Sequence, residues 1–165
     1  MTRSIPLPNG VSGALRLHSM PGRYESLDQF RDELKREAIA VIVCLAESQE
    51  LRTKSPSYAA AIEAKSVPCS FESFPISDYG VPEDREAFWS LASKIATQLR
   101  AGGRVLIHCA GGIGRSGMLA TCVLLALGVQ KDQAVRTILV AGSRAEAAEQ
   151  KELISWCAER GRDAN

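Results

Sequence analysis

The sequence predicts an α/β fold, a short central and mostly parallel sheet flanked by helices, and three observations carry that prediction. Residues 38–45 (AIAVIVCL) form an unbroken apolar run of strand length, the pattern of a central parallel strand covered on both faces. Residues 85–100 repeat Phe88, Leu91, Ile95 and Leu99 at helical spacing, which gives a helix one apolar face. Between Val105 and Leu127 a β-branched run, a glycine-rich stretch and a second apolar run follow one another, reading as strand, tight loop and buried helix. Strands alternating with helices place a ligand site at the carboxyl ends of the strands.

The remaining elements follow in order. Residues 1–12 carry Pro6, Pro8, Asn9 and Gly10 and are expected as an irregular lead-in. Residues 13–19 alternate small or apolar with polar side chains, the signature of an edge strand, with His18 expected at the surface or in a turn. Residues 20–23 (MPGR) make a turn, and Leu27, Phe30 and Leu34 define a helix over 26–37 with Ser26 as its N-cap. Residues 46–57 are polar and read as a loop or short helix, 57–65 as a helix, and 67–74 as a strand. A loop punctuated by proline and glycine (residues 74–84, FPISDYGVPED) precedes the 85–100 helix, which Gly102 and Gly103 terminate. The strand at 104–107 feeds the glycine-rich loop, and 115–127 is the buried central helix. Residues 132–140 and 145–160 are two further helices, and 161–165 a frayed tail. With no repeat and no linker, one domain over 1–165 is expected.

Composition narrows the function. A chain of 165 residues, 45% hydrophobic, suits one core of useful size. Twenty basic against nineteen acidic residues leave a net charge of +1, which points away from nucleic acid and from membrane surfaces. The five cysteines (44, 69, 109, 122, 157) are odd in number and contain no CxxC pair, against a disulfide scaffold and against zinc. No signal peptide and no apolar stretch of roughly 18 residues is found. A cytoplasmic, soluble monomer is the expectation.

The chemistry concentrates in His108-Cys109-Ala110-Gly111-Gly112-Ile113-Gly114-Arg115-Ser116-Gly117. Glycines let successive N–H groups turn inward to form an anion nest. The helix that follows adds its own unpaired N–H groups and the positive end of its dipole. Arg115 offers a planar fork matched to two phosphate oxygens. Positive surroundings favour the thiolate form of a cysteine, so Cys109 is expected as the nucleophile, with Ala110, Gly111, Gly112, Ile113, Gly114 and Arg115 binding the phosphoryl oxygens. Ser116 can hydrogen-bond the sulfur and ease its departure.

This pattern, His-Cys-x5-Arg-Ser in a strand-to-helix setting, resembles the signature loop of the cysteine-dependent protein tyrosine and dual-specificity phosphatases. The form HCAGGIGRSG is most similar to kinase-associated phosphatases and small archaeal and bacterial members. A thiolate that accepts a phosphoryl group leaves an alkoxide or phenoxide needing a proton. Asp78, thirty-one positions before Cys109 on the 74–84 loop, is the expected acid, and the resemblance places the family's acid on such a loop. Glu83 and Asp84 compete, but they sit where a helix N-terminus favours acids. The resemblance also implies that His108 orders the loop, and that a glutamine after the central helices positions water, here Gln150. Arg144 could bind substrate or cap a helix. Cys44 could protect Cys109 by a reversible disulfide, though a core role suits it better.

The expected activity is metal-independent hydrolysis of phosphomonoesters on phosphoproteins, phosphotyrosine and also phosphoserine or phosphothreonine, through a cysteinyl-phosphate and without a cofactor. The loop interior carries no lysine, which favours phosphoprotein over phosphoinositide. A small-molecule phosphatase, a non-catalytic phospho-binding module and a rhodanese-like sulfurtransferase are the alternatives.

Overall fold

Five strands and seven helices are formed by residues 2–163, the part of the chain described by the computed structural model. Strands β1 (Arg3–Ile5), β2 (Ala14–His18), β3 (Val41–Cys44), β4 (Ser70–Ser73) and β5 (Arg104–His108) make one sheet in the order β1-β2-β5-β3-β4. Only β1 runs antiparallel to its neighbour. Three helices pack with one core cluster, α1 (Leu27–Arg36), α2 (Ser48–Lys54) and α3 (Pro56–Glu63). Four pack with the other, α4 (Arg85–Arg100), α5 (Gly114–Ala126), α6 (Lys131–Val140) and α7 (Ala148–Asp163).

The two-residue alternation of a strand divides the core. Ile42, Cys44 and Leu106 point into the cluster of Phe30, Leu34 and Tyr58, whereas Val43, Val105 and Ile107 point toward Phe88, Leu119 and Val123. Strand β5 is therefore buried on both faces, which fixes where the signature loop leaves the sheet. Helix α5 is buried from Gly114 to Leu125, so its first turn cannot move without disturbing α4, α6 and α7 around it. Ser26 caps α1 with a reciprocal capping box to Gln29, and Asp84 caps α4 through the Ala87 N–H at 2.9 Å, each cap contributing about 1 kcal/mol. Among the described residues no helix is long and apolar enough to cross a membrane.

Three expectations are corrected. The lead-in is not wholly irregular, because residues 3–5 pair with 15–17 as β1. That pairing makes β2 an inner strand rather than an edge, and His18, at the end of β2, is completely buried. Helix α1 closes over His18 with Phe30, ring centroids 5.3 Å apart, and Glu33 Oε2 supplies a polar partner 3.2 Å from Nε2. At the other end α7 continues through Gly161 to Asp163 instead of fraying at 161; residues 164 and 165 lie outside the described part.

Candidate active site

Cys109 follows β5 directly and is almost fully buried, at the base of the loop that ends in α5. The Gly112 N–H donates to its Sγ at 3.2 Å, the geometry of a sulfur held by a backbone dipole. Gly112 has φ +69°, and a Cβ there would meet His18 O at 2.3 Å, so only glycine fits this bend.

The loop carbonyls are held from outside. Cys109 O accepts from His108 Nδ1 at 3.2 Å, Ala110 O from the Met20 N–H at 3.0 Å and Arg23 Nη1 at 3.3 Å. Ser143 Oγ lies 3.1 Å from Gly112 O and 2.7 Å from Ile113 O. In a planar trans peptide the N–H points opposite to the C=O. Tying these carbonyls outward therefore turns the N–H groups of Ala110, Gly111, Ile113 and Gly114 inward, an anion nest continuous with the N-terminus of α5. Gly117 completes the anchoring: a Cβ there would lie 2.7 Å from the Arg144 N, so glycine allows the 143–146 segment to lie against the first turn of α5.

Arg115 is 1% exposed. Its Nη1 donates to Glu50 Oε2 and to Ile76 O, both at 2.8 Å, and its Nη2 donates to Glu50 Oε1 at 3.0 Å. Asp78 Oδ1 lies 3.0 Å from the same Nη2, and its side chain is 54% exposed. The acid expected from the sequence thus meets the expected phosphate binder, one fixed in the interior and the other on the rim. Two buried polar atoms here have no partner, Arg115 Nε and Ser116 Oγ. Unpaired buried donors are costly, and both belong to the first turn of the helix that follows the Cys109 loop.

The electrostatics agree. Burial works against the charge on Arg115, yet Glu50, the Cys109 sulfur and Asp78 outweigh it and raise its pKa above the usual guanidinium value. Burial likewise opposes ionisation of Glu50, but hydrogen bonds from Arg115 and Lys54 prevail and hold its pKa at about 2. His108 is pushed down to about 3, chiefly by burial, and is neutral. Its Nδ1 faces a carbonyl and so carries the proton, leaving Nε2 to accept from the Tyr58 hydroxyl at 3.0 Å.

The remaining expected residues are placed as follows. Gln150 is buried; its Nε2 donates to Gly80 O at 3.0 Å and its Oε1 accepts the Glu146 N–H at 2.8 Å. It is drawn inward because it ties the Asp78 loop to the start of α7. Asp84 is occupied as the cap of α4, and Arg144 is exposed. Cys44 is a core thiol, pushed up to about 12 mainly by burial. Among the described residues no group of three or more His, Cys, Asp or Glu is arranged to hold a metal ion. Sequence reasoning missed Glu50, Tyr58 and Ser143. The one available signal was general: a buried arginine requires an acid, but nothing in SQELRTK marked Glu50 as that acid.

Known proteins match this arrangement. The family model described as PTP-SAK, Swiss Army Knife protein, DSP-PTPase phosphatase domain, covers residues 12–160. Cyclin-dependent kinase inhibitor 3 of Rattus norvegicus is 45% identical over 53 residues, 32% of this chain and 24% of that protein; the aligned stretch thus spans about a quarter of that relative. Among solved structures, kinase-associated phosphatase with its catalytic-site cysteine replaced by serine superposes with a TM-score of 0.80 at 23% identity, over 99% of this chain and 94% of the other. Tk-PTP in its active form gives 0.72 at 26% identity, over 91% and 95%. Since the family match runs from just before β2 almost to the end of α7, the chain belongs to the DSP-PTPase family of dual-specificity and tyrosine phosphatases.

Proposed function

We propose that the protein hydrolyses phosphomonoesters on phosphoproteins through a cysteinyl-phosphate. The observation that carries this reading is the convergence on Arg115: a buried guanidinium with Nε unpaired, gripped by Glu50 and touched by Asp78, at the first turn of the helix that follows the Cys109 loop. In the first step the Cys109 thiolate attacks phosphorus, an S–P bond forms, the P–O bond breaks and Asp78 gives its proton to the leaving oxygen. The inward N–H groups and Arg115 take the charge on the three equatorial oxygens. In the second step water attacks phosphorus, its proton passes to Asp78, the S–P bond breaks and inorganic phosphate leaves. Ser116 Oγ donates to the departing sulfur, and Gln150 holds the loop that carries Asp78.

Phosphotyrosine and shorter phosphoserine or phosphothreonine esters are the proposed substrates, handled by a monomer in a reducing cytoplasm. Tyr24 and Tyr79 are exposed, Tyr24 with the Arg23 guanidinium 4.7 Å from its ring centre. Arg23 also reaches Ala110 O, so this aromatic edge belongs to the rim of the loop. The loop interior has no cationic side chain besides Arg115, which supports phosphoprotein over polyphosphorylated lipid.

The test is hydrolysis of para-nitrophenyl phosphate in EDTA by wild type, Cys109→Ser and Asp78→Asn. Turnover is expected, abolished by the first change and strongly reduced by the second. A silent wild type that still binds phosphopeptide would make the protein a binding module, thiosulfate turnover would revive the sulfurtransferase, and preference for phosphoinositide over phosphopeptide would move the substrate to lipid.

A further inference from the structure

The N-terminal strand reaches the loop. Arg3 pairs with Leu17 across β1 and β2, and the end of β2 lies beside the end of β5 (His18 against His108). This register carries the Arg3 side chain to the mouth of the sheet. There Nη1 donates to Gly142 O at 2.6 Å, and Nη2 donates to Gly112 O. Gly112 O also accepts from Ser143 Oγ. The guanidinium therefore bridges two segments, the Cys109 loop and the turn after α6, through the one peptide whose N–H belongs to Ile113. It is half-buried. Residue 3 lies outside the stretch that the family model matches, 12–160.

We propose that Arg3 is a positioning residue for the phosphate cradle, its fork fixing the Gly112–Ile113 peptide so that the Ile113 N–H faces the phosphoryl group. The inference rests on the phosphatase reading. The fork matters because a lysine ammonium is a point charge that cannot span two carbonyls with a planar pair of donors.

The experiment uses the full chain with Arg3→Met, Arg3→Lys and, as a comparison, Arg16→Met. Arg16, on the same pair of strands, holds Ser4 and the Glu37 carboxylate at the end of α1, and none of these hydrogen bonds reaches the loop. Three quantities are read: kcat for para-nitrophenyl phosphate, its KM, and protection of Cys109 from iodoacetate by vanadate. Arg3→Met is expected to weaken vanadate protection and kcat/KM by about 10- to 100-fold. Arg3→Lys is expected to leave vanadate protection weak as well. Arg16→Met is expected to match wild type in all three. Wild-type vanadate protection in Arg3→Met, or in Arg3→Lys, overturns the proposal. So does an equal loss in Arg16→Met, which would assign the effect to the sheet edge. If Arg3→Met fails to fold, Arg3→Lys decides by the same criterion. A wild type that is alkylated at Cys109 but neither hydrolyses the ester nor binds vanadate refutes the phosphatase reading itself, an outcome distinct from any of these.

Discussion

Glu50 grips both terminal nitrogens of Arg115, at 2.8 and 3.0 Å, and so decides which edge of the guanidinium stays open. With Nη1 also on Ile76 O, the free edge is the one that carries Nε. Arg115 is buried and the Glu50 side chain is 10% exposed, and removing one partner of such a pair leaves the other charged and unmatched. Glu50→Ala is therefore expected to lower stability by about 3 kcal/mol or more, read as a fall in the urea midpoint. Glu50→Gln, which keeps one acceptor, is expected to fold and to lose about 10- to 100-fold in kcat/KM. Wild-type kcat/KM in Glu50→Gln would show that Arg115 is oriented by its backbone position alone.

The pH dependence of stability follows from two depressed values with one sign. The unfolded chain protonates His108 near 6.5, but the folded chain resists until about 3, with Tyr58, His18, Arg115 and Glu50 as the titratable groups around it. Stability from this source is complete above pH 6.5 and falls as pH drops through that window. Glu50, at about 2 against 4.5 unfolded, adds a loss below pH 4.5, on the order of 2 kcal/mol after solvent screening. The urea midpoint is expected to fall from pH 7.5 to 5.5 and again, more steeply, to 4. A midpoint that rises on acidification would contradict both assignments.

Tyr58→Phe removes the donor to His108 Nε2 without changing the volume of the core. A buried acceptor left unpaired costs about 1–3 kcal/mol, so thermal unfolding is expected at a lower temperature. Because Nδ1 still holds Cys109 O, the loop is expected to keep its shape, and activity is expected to fall less than stability. Equal stability of the variant and wild type would mean that the Tyr58 hydroxyl contributes nothing to the imidazole's placement.

What was legible in the sequence was what repeats or clusters locally. The apolar run of β3, the spacing of α4 and the Cys109 loop with α5 behind it each carry their own signal over about a dozen residues. Strand β1 did not, because three residues before two prolines bear no periodicity; its pairing with β2 makes it a strand, and the alternation of β2 turns His18 toward α1. Glu50 and Tyr58 act through contacts 65 and 50 residues away in sequence, which no local pattern records. Asp78 was singled out because the expected chemistry asks for an acid on a separate loop, and the fold brings it to 3.0 Å from Arg115 Nη2. Gln150 was expected at the site for its amide, and its burial as a tie between that loop and α7 follows only from the folded arrangement.

A general acid is recognised by how its loss depends on the leaving group. Asp78→Asn is expected to slow hydrolysis of phenyl phosphate, whose phenoxide needs a proton, far more than that of aryl esters with strongly acidic phenols. A uniform loss across the series would make Asp78 a binding partner of Arg115 and nothing more.

Gln150 provides the last separation, between the two chemical steps. Its amide joins Gly80, two residues beyond Asp78, to the backbone at Glu146. Gln150→Ala releases that tie, so on the proposed mechanism Asp78 loses its fixed approach to the leaving oxygen. Rapid-quench kinetics with an aryl phosphate are expected to show slower formation of the cysteinyl-phosphate, about tenfold, with the same leaving-group dependence as Asp78→Asn. If the burst instead kept its wild-type rate while the steady state slowed, the residue would act on the hydrolytic water, as a glutamine at this place in the sequence was expected to do.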